Sequence, residues 1–206
     1  MPTGRIRSAV PFRWLFIAIF LSTFLVSGYF RRRARQSGEV IARLREGRGT
    51  LLARLLLAAP LYLSVLAFML NPDWMNWSAV PLPDWARWGG VAVGLPVPAL
   101  IYWIMISIGK NISETYLTKE SHQLVRHGPY RWIRHPLYSV ATLAFASLGL
   151  IAANWFMLAM ALIVFAAIAG LVVPREEAEL ARKFGDEYRD YQRRTGRFVP
   201  RLSPGR

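Results

Sequence analysis

The sequence predicts an all-α, polytopic integral membrane bundle of about five transmembrane helices, with a long polar loop before the last helical pair and an amphipathic helix at the C-terminus. Three observations carry this expectation. Apolar residues come in long blocks with no period-two alternation, the charges sit between the blocks, and 54% of the 206 residues are hydrophobic while only 18% are charged. A single apolar block fits the buried helix of a large soluble protein; five in so short a chain do not.

The first expected helix runs from about Pro11 to Phe30, behind a short basic arm over residues 1–12. Its sequel is arginine-rich and lacks a small-x-small cleavage site, so the block reads as a retained helix rather than a removed signal. Residues 31–50 form a polar connection carrying Arg31, Arg32, Arg33 and Arg35, with an interfacial helix expected over 39–44. The second helix covers about Leu51 to Leu70, with Pro60 a candidate kink and Arg54 near enough to the end to snorkel. Residues 71–84 hold Asp73 and Asp84 but no lysine or arginine, and Trp74, Trp77, Trp85 and Trp88 lie in or beside them as an interfacial aromatic belt.

The third helix, about Ala86 to Ser107, contains Gly89, Gly90, Gly94, Pro96 and Pro98; the glycines allow close helix contact and the prolines bend the axis. A loop over 109–136 follows. Helices four (about Leu137 to Ala152) and five (about Trp155 to Val173) are separated only by Ala153-Asn154, which forces an antiparallel hairpin. Glu176 to Arg194 reads as one amphipathic helix, and residues 197–206 as irregular. The chain divides into an N-terminal transmembrane region, 1–107, and a C-terminal region, 108–206, within one integrated membrane domain.

The formal charge of +14 raises the question of nucleic acid, but the arginines flank the apolar blocks, a placement that matches the positive-inside bias and anionic lipid headgroups. No nucleic-acid partner is expected; membrane lipids are. The basic 31–50 loop, 109–136 loop and tail place the N-terminus outside and the C-terminus in the cytoplasm, in a cell inner membrane. The chain has no cysteine, which removes disulfides, thiolate ligands and a cysteine nucleophile.

Chemistry concentrates in two stretches. One runs from Ser121 to Tyr138 and holds all three histidines, His122, His127 and His135; the other is Pro174-Arg175-Glu176-Glu177. The expected hairpin returns His135 and Glu177 to the same depth although about forty residues separate them. Arg134 offers a fork of donors for a carboxylate or phosphate. His122 and His135 can donate or accept a proton near neutral pH. Glu176 and Glu177 can take an amine, a ribose hydroxyl or a cation, and Tyr130, Trp132 and Tyr138 can cover an aromatic base or a cation. The competing account is an ordinary positive-inside loop with a tyrosine belt. The histidine spacing matches no standard metal helix, so no metal site is expected. There is no P-loop, GxGxxG or zincin motif.

Gly109-Lys110-Asn111-Ile112-Ser113, then His122-Gln123-Leu124 with Gly128-Pro129-Tyr130, Arg134-His135-Pro136 with Tyr138, the Glu176-Glu177 pair, Phe184-Gly185 with Tyr188 and Tyr191, and Arg197-Phe198-Val199-Pro200 together resemble the isoprenylcysteine carboxyl methyltransferase family of phospholipid methyltransferase-like membrane enzymes. The resemblance covers roughly residues 108–201; the first 107 residues share only their apolar character. It implies an S-adenosylmethionine-dependent methyltransferase whose cofactor site lies in the cytosolic loop and C-terminal helices. The acceptor would be lipid-linked or hydrophobic, a carboxylate foremost. Carried over residue by residue, it places His122, Leu124, Gly128, Tyr130, His135, Tyr138, Glu176 and Glu177 around the cofactor, and gives Arg134 and Glu177 catalytic roles. A phospholipid N-methyltransferase, an NADPH-dependent membrane reductase and a non-catalytic membrane interaction protein stand as alternatives.

Overall fold

The computed structural model describes residues 4–36, 48–109 and 123–201. Among them the chain is entirely helical apart from turns and two isolated backbone bridges, with no sheet. The elements are α1 (Gly4–Gln36), α2 (Arg48–Leu70), a 3₁₀ segment (Pro72–Ser78), α3 (Asp84–Gly94), α4 (Val97–Ile108), a 3₁₀ turn (Gly128–Arg131), α5 (Pro136–Ile151), α6 (Trp155–Ala167), a π-helical turn (Ile168–Val172), α7 (Val173–Phe184) and α8 (Asp186–Arg194).

The expectation of five full-length spans is corrected. Among the described residues three helical stretches, Pro11–Gln36, Asp84–Ile108 and Trp155–Phe184, are long and apolar enough to cross a membrane. The apolar helices Leu55–Leu70 and Pro136–Ile151 are shorter. At ~1.5 Å per residue the second of these reaches ~24 Å, against a hydrocarbon core of ~30 Å. The chain is an all-α, multi-spanning membrane bundle.

Three boundaries differ from expectation, each for a local reason. α1 is helical from Gly4 and continues through the arginine run to Gln36, because that run is made of good helix formers with no breaker. The third helix is two, α3 and α4, interrupted at Leu95-Pro96, where Pro96 and Pro98 remove backbone donors. The expected amphipathic helix over 176–194 is broken: α7 extends the α6 axis without a gap, and Gly185, at φ 54°, ends it and starts α8. The interfacial helix expected over 39–44 and the side chain of Arg54 lie outside what is described.

The α5–α6 hairpin is as expected, turning at Ala153-Asn154. Asn154 is buried and its side chain accepts from Met157 N at 3.0 Å, capping α6, while its amide donates to Ser78 Oγ at 2.7 Å and Met75 O at 3.3 Å. α3 packs closely on α5. A Cβ at Gly90 would stand 2.8 Å from Leu150 Cβ, and one at Gly94 would stand 2.8 Å from Ser147 Oγ, so the expectation of close contact through small residues holds.

Two buried clusters occupy opposite ends of the bundle. Phe12, Phe16, Val65, Phe68, Ile151 and Met157 gather near the hairpin turn. Phe30, Ile101, Ile104, Met105, Tyr130 and Val140 gather around the start of α5. The tryptophan belt collects at the hairpin-turn end, with Trp77 and Trp155 edge to face at 5.8 Å and Trp88 against Phe12 at 5.2 Å. The two polar stretches picked out from the sequence meet at the other end.

Candidate active site

The site is built where the N-terminus of α5 meets α7. Pro136 starts α5 and fixes the preceding Arg134-His135 in non-helical backbone, so these side chains project from the helix entrance. The tail then returns alongside: Arg134 N donates to Gly196 O at 2.8 Å, His135 N to Arg197 O at 3.1 Å, and Gly196 N to Trp132 O at 3.1 Å. Ser139 Oγ donates to Phe198 O at 2.7 Å.

Glu177 is the hub. The residue is 7% exposed; its carboxylate accepts from Arg134 Nε at 3.0 Å and lies 3.2 Å from His135 Nε2 through one oxygen, and its other oxygen accepts from Arg197 Nη2 at 2.5 Å and Nε at 3.2 Å. Arg134 also donates to the carbonyls of Gln192, at 3.1 Å, and Thr195, closing the C-terminus of α8. A buried carboxylate with this many charged donors is held ionised and held in place. Arg197 is pushed above the ordinary arginine value, first by its hydrogen bonds to Glu177.

Glu176, one residue earlier, points to a different set of groups. Tyr138 Oη donates to Glu176 Oε2 at 3.0 Å, and His135 Nδ1 stands 3.8 Å from the same oxygen. The His135 and Tyr138 rings stack at 5.8 Å. His135, itself 5% exposed, therefore sits between the two glutamates.

Beside this network lies a small cavity of about 60 Å³, lined by Leu124, Tyr130, Arg134, His135, Glu176 and Tyr188 among others. Tyr188 is 1% exposed, and its hydroxyl has no hydrogen-bond partner among the described residues. Tyr191 Oη donates to Tyr130 O at 2.6 Å, tying α8 to the 3₁₀ turn. Burial pushes the phenols of Tyr130 and Tyr188 well above the usual tyrosine value and that of Tyr191 up to about 12, so all three are neutral donors at any ordinary pH.

Of the residues singled out from the sequence, Leu124, Tyr130, Arg134, His135 and Glu176 line one cavity, and Tyr138 and Glu177 are bonded to its walls. Gly128 is placed differently. At φ +59° it presses against α4, where a Cβ would collide with Ser107 Oγ, so its contact is with a helix and not with the cavity. His122 lies outside the described residues. His127 is exposed. Two participants carried no assigned role in the sequence reading: Arg197, present there only within an Arg-Phe-Val-Pro stretch, and Tyr188, present only beside Tyr191 after Phe184-Gly185. No pattern in the chain marks Arg197 as the second cation on Glu177, because the pairing depends on the tail folding back.

The residues suit S-adenosylmethionine in kind. Glu176 offers a carboxylate for hydroxyl or ammonium groups, Tyr188 offers a buried donor without a partner among the described residues, and Tyr130, Leu124 and Leu180 supply apolar and aromatic wall. The enclosed 60 Å³ is far below the ~300 Å³ of a complete small-molecule site, so these residues contact one part of such a molecule.

A helical membrane bundle with a charged, water-shielded node at one end defines the class. Its fold is similar to that of the eukaryotic intramembrane Ras methyltransferase ICMT (isoprenylcysteine carboxyl methyltransferase), with a TM-score of 0.54 and 20% identity, over 81% of this chain and 56% of that one. The sequence profile of the phospholipid methyltransferase family matches residues 85–187, half of the chain, and the chain belongs to that family. Among curated proteins it is 35% identical over 100 residues to the nickel-cobalt-cadmium resistance protein NccN of Alcaligenes xylosoxydans xylosoxydans. It is 33% identical over 100 residues to the cobalt-zinc-cadmium resistance protein CzcN of Cupriavidus metallidurans. Each match covers 48% of this chain and 46% of the relative, so the chain spans about half the length of these relatives. It is also 36% identical over 61 residues to YpbQ of Bacillus subtilis, a match covering 30% of this chain and 36% of that one.

Proposed function

We propose that this chain is an S-adenosylmethionine-dependent methyltransferase acting on a lipid-linked or hydrophobic acceptor in the membrane, with a carboxylate as the favoured acceptor group. The observation that carries the reading is the paired Glu176-Glu177 step on α7, with His135 between the two carboxylates and Tyr138 on Glu176, all within or bonded to the family-matched segment.

When bound, the cofactor supplies a methyl group on a sulfonium, already electrophilic without a protein acid. The chain's own part is alignment and exclusion of water. Glu176, oriented by Tyr138, would accept from the cofactor's hydroxyl or ammonium groups, and the Tyr188 hydroxyl would donate to it. Leu124, Tyr130 and Leu180 keep water away. Arg134 and Glu177, expected from the sequence as catalytic, act in this proposal as positioning residues: their contacts to each other, to His135 and to Arg197 fix the α5 entrance against α7. A carboxylate acceptor needs no general base; an amine acceptor could pass its proton to His135.

The remaining expectations belong to this reading. The N-terminus lies outside and the site in the cytoplasm, a placement supported by the arginines at the end of α1 and along α7 and α8. Residues 108–206 supply the site and residues 1–107 the membrane anchor and acceptor path. The metal-resistance names of the two curated relatives are not carried over, because among the described residues no group of three or more His, Asp or Glu side chains is arranged to hold a metal ion.

Equilibrium binding of S-adenosylmethionine to the detergent-purified chain, with NADPH in parallel, tests the reading. Saturable cofactor binding, weakened by Glu176→Gln, is the expected result. Binding of NADPH alone would replace it with the reductase alternative, and binding of neither by folded protein would replace it with the non-catalytic one.

A further inference from the structure

A second cavity, larger than the one beside Glu177, lies away from that site. It lies at the other end of α5, beneath the hairpin turn, and measures about 1030 Å³. That exceeds the ~300–1,000 Å³ typical of small-molecule sites. The 16 residues of α5 separate the two ends by ~24 Å.

Two arginines line it. Arg13 donates through Nη2 to the carbonyls of Met69 and Leu70, at 2.8 and 2.9 Å, which closes the C-terminus of α2. Its Nε is buried and has no partner among the described residues. Arg87 donates through Nε to Ile151 O at 3.0 Å, closes the C-terminus of α5, and lies over the Phe12 ring at 3.9 Å. These bonds use two of the five N–H donors of Arg13 and one of those of Arg87, and a buried guanidinium N–H without an acceptor is costly. Both cations sit on the inner wall among aromatic rings. The same cavity has two carboxylates at its solvent side: Asp73, exposed and bonded to the Asn76 amide at 3.3 Å, and Asp84, whose side chain is 60% exposed and 4.0 Å from Arg87. Trp14, 62% exposed, stands at the rim with the tryptophan belt, which sets this end at headgroup level.

The charges are thus layered, with guanidinium donors inside and carboxylates outside. A zwitterionic phospholipid headgroup has the complementary order. Its phosphate lies next to the glycerol and takes bidentate donors such as Arg13 and Arg87; its ammonium lies outermost and takes carboxylates. An anionic headgroup would leave Asp73 and Asp84 facing negative charge. We propose that this cavity binds the headgroup of a zwitterionic, ammonium-bearing phospholipid, at a site separate from the methyltransferase site and independent of its reaction.

Native mass spectrometry of the delipidated, detergent-purified full chain tests this, titrating phosphatidylethanolamine, phosphatidylglycerol or inorganic phosphate. The expected result is a saturable adduct with phosphatidylethanolamine, at least about tenfold weaker binding of phosphatidylglycerol and no retained phosphate. Arg13→Gln lowers phosphatidylethanolamine affinity about tenfold or more. Asp73→Asn keeps the shape of an exposed side chain, so the fold is not at risk; it weakens phosphatidylethanolamine and not phosphatidylglycerol. Should Arg13→Gln fail to fold, the Asp73→Asn comparison decides alone. Equal affinity for the two lipids, retention of phosphate by itself, or phosphatidylethanolamine binding unchanged in Asp73→Asn would each overturn the proposal.

Discussion

Arg134 and Glu177 are 43 positions apart and joined by a 3.0 Å charged hydrogen bond in a nearly dry setting. The bond ties the entrance of α5 to the second turn of α7. Arg197 and His135 complete the set around the same carboxylate. Breaking a buried charge cluster of this kind by removing its carboxylate leaves buried guanidinium charge without a counter-ion.

Glu177→Ala therefore destabilises the fold by about 3–5 kcal/mol, and Glu177→Gln by much less because it keeps an acceptor for Arg134. Thermal or denaturant unfolding of the two variants in matched detergent checks this. An alanine variant as stable as the glutamine one would show that the node contributes nothing to folding. Activity loss in Glu177→Ala alone is thus no sign of a chemical role; the glutamine variant is the informative one.

Tyr188→Phe removes a hydroxyl that has no partner among the described residues. The fold is expected to keep its stability or gain slightly, since a buried unsatisfied group is lost. Affinity for S-adenosylmethionine falls about three- to tenfold, the worth of one hydrogen bond. Isothermal titration alongside an unfolding curve separates the two effects, and unchanged affinity would remove Tyr188 from the cofactor wall.

Gly128 and Gly185 both have positive φ, 59° and 54°, but differ in surroundings. A Cβ at Gly185 meets nothing within 4 Å, whereas one at Gly128 strikes Ser107. Gly185→Ala costs the ~1–2 kcal/mol of left-handed backbone. Gly128→Ala costs more, because α4 has to move as well. Paired unfolding measurements showing equal losses would refute the packing role of Gly128.

The buried phenols give a pH dependence at the alkaline end. An unfolded tyrosine ionises near ~10, while burial holds Tyr191 up to about 12 and raises Tyr130 and Tyr188 as well. A raised folded value means that the folded state keeps its protons longer. Their contribution is complete below pH ~10 and is lost as pH climbs through the folded values. The unfolding midpoint should fall steeply above that pH, and Tyr191→Phe should make the fall shallower.

Much of the site was legible in the chain because its members lie in two dense stretches. His135, Tyr138 and the glutamate pair are adjacent to helix starts marked by Pro136 and Pro174, and Ala153-Asn154 is too short for anything but a hairpin. Arg197 and Tyr188 could not be assigned this way. Their roles depend on α7 stopping at Gly185 and on the tail pairing with Trp132 and Arg134 through Gly196, and neither feature leaves a periodic trace.

By itself the sequence determined the class of fold, the hairpin, the helix-rich bundle and the meeting of two polar stretches at one end. These follow from apolar block length, loop length and charge placement, which are local quantities. Only the tertiary structure decided that α1 runs on through its arginines, that Glu177 is enclosed by three partners while Glu176 faces the cavity, and that Arg13 and Arg87 line a second cavity at the far end. Those outcomes are set by which helix ends and side chains become neighbours, a property of packing between segments that no single segment encodes.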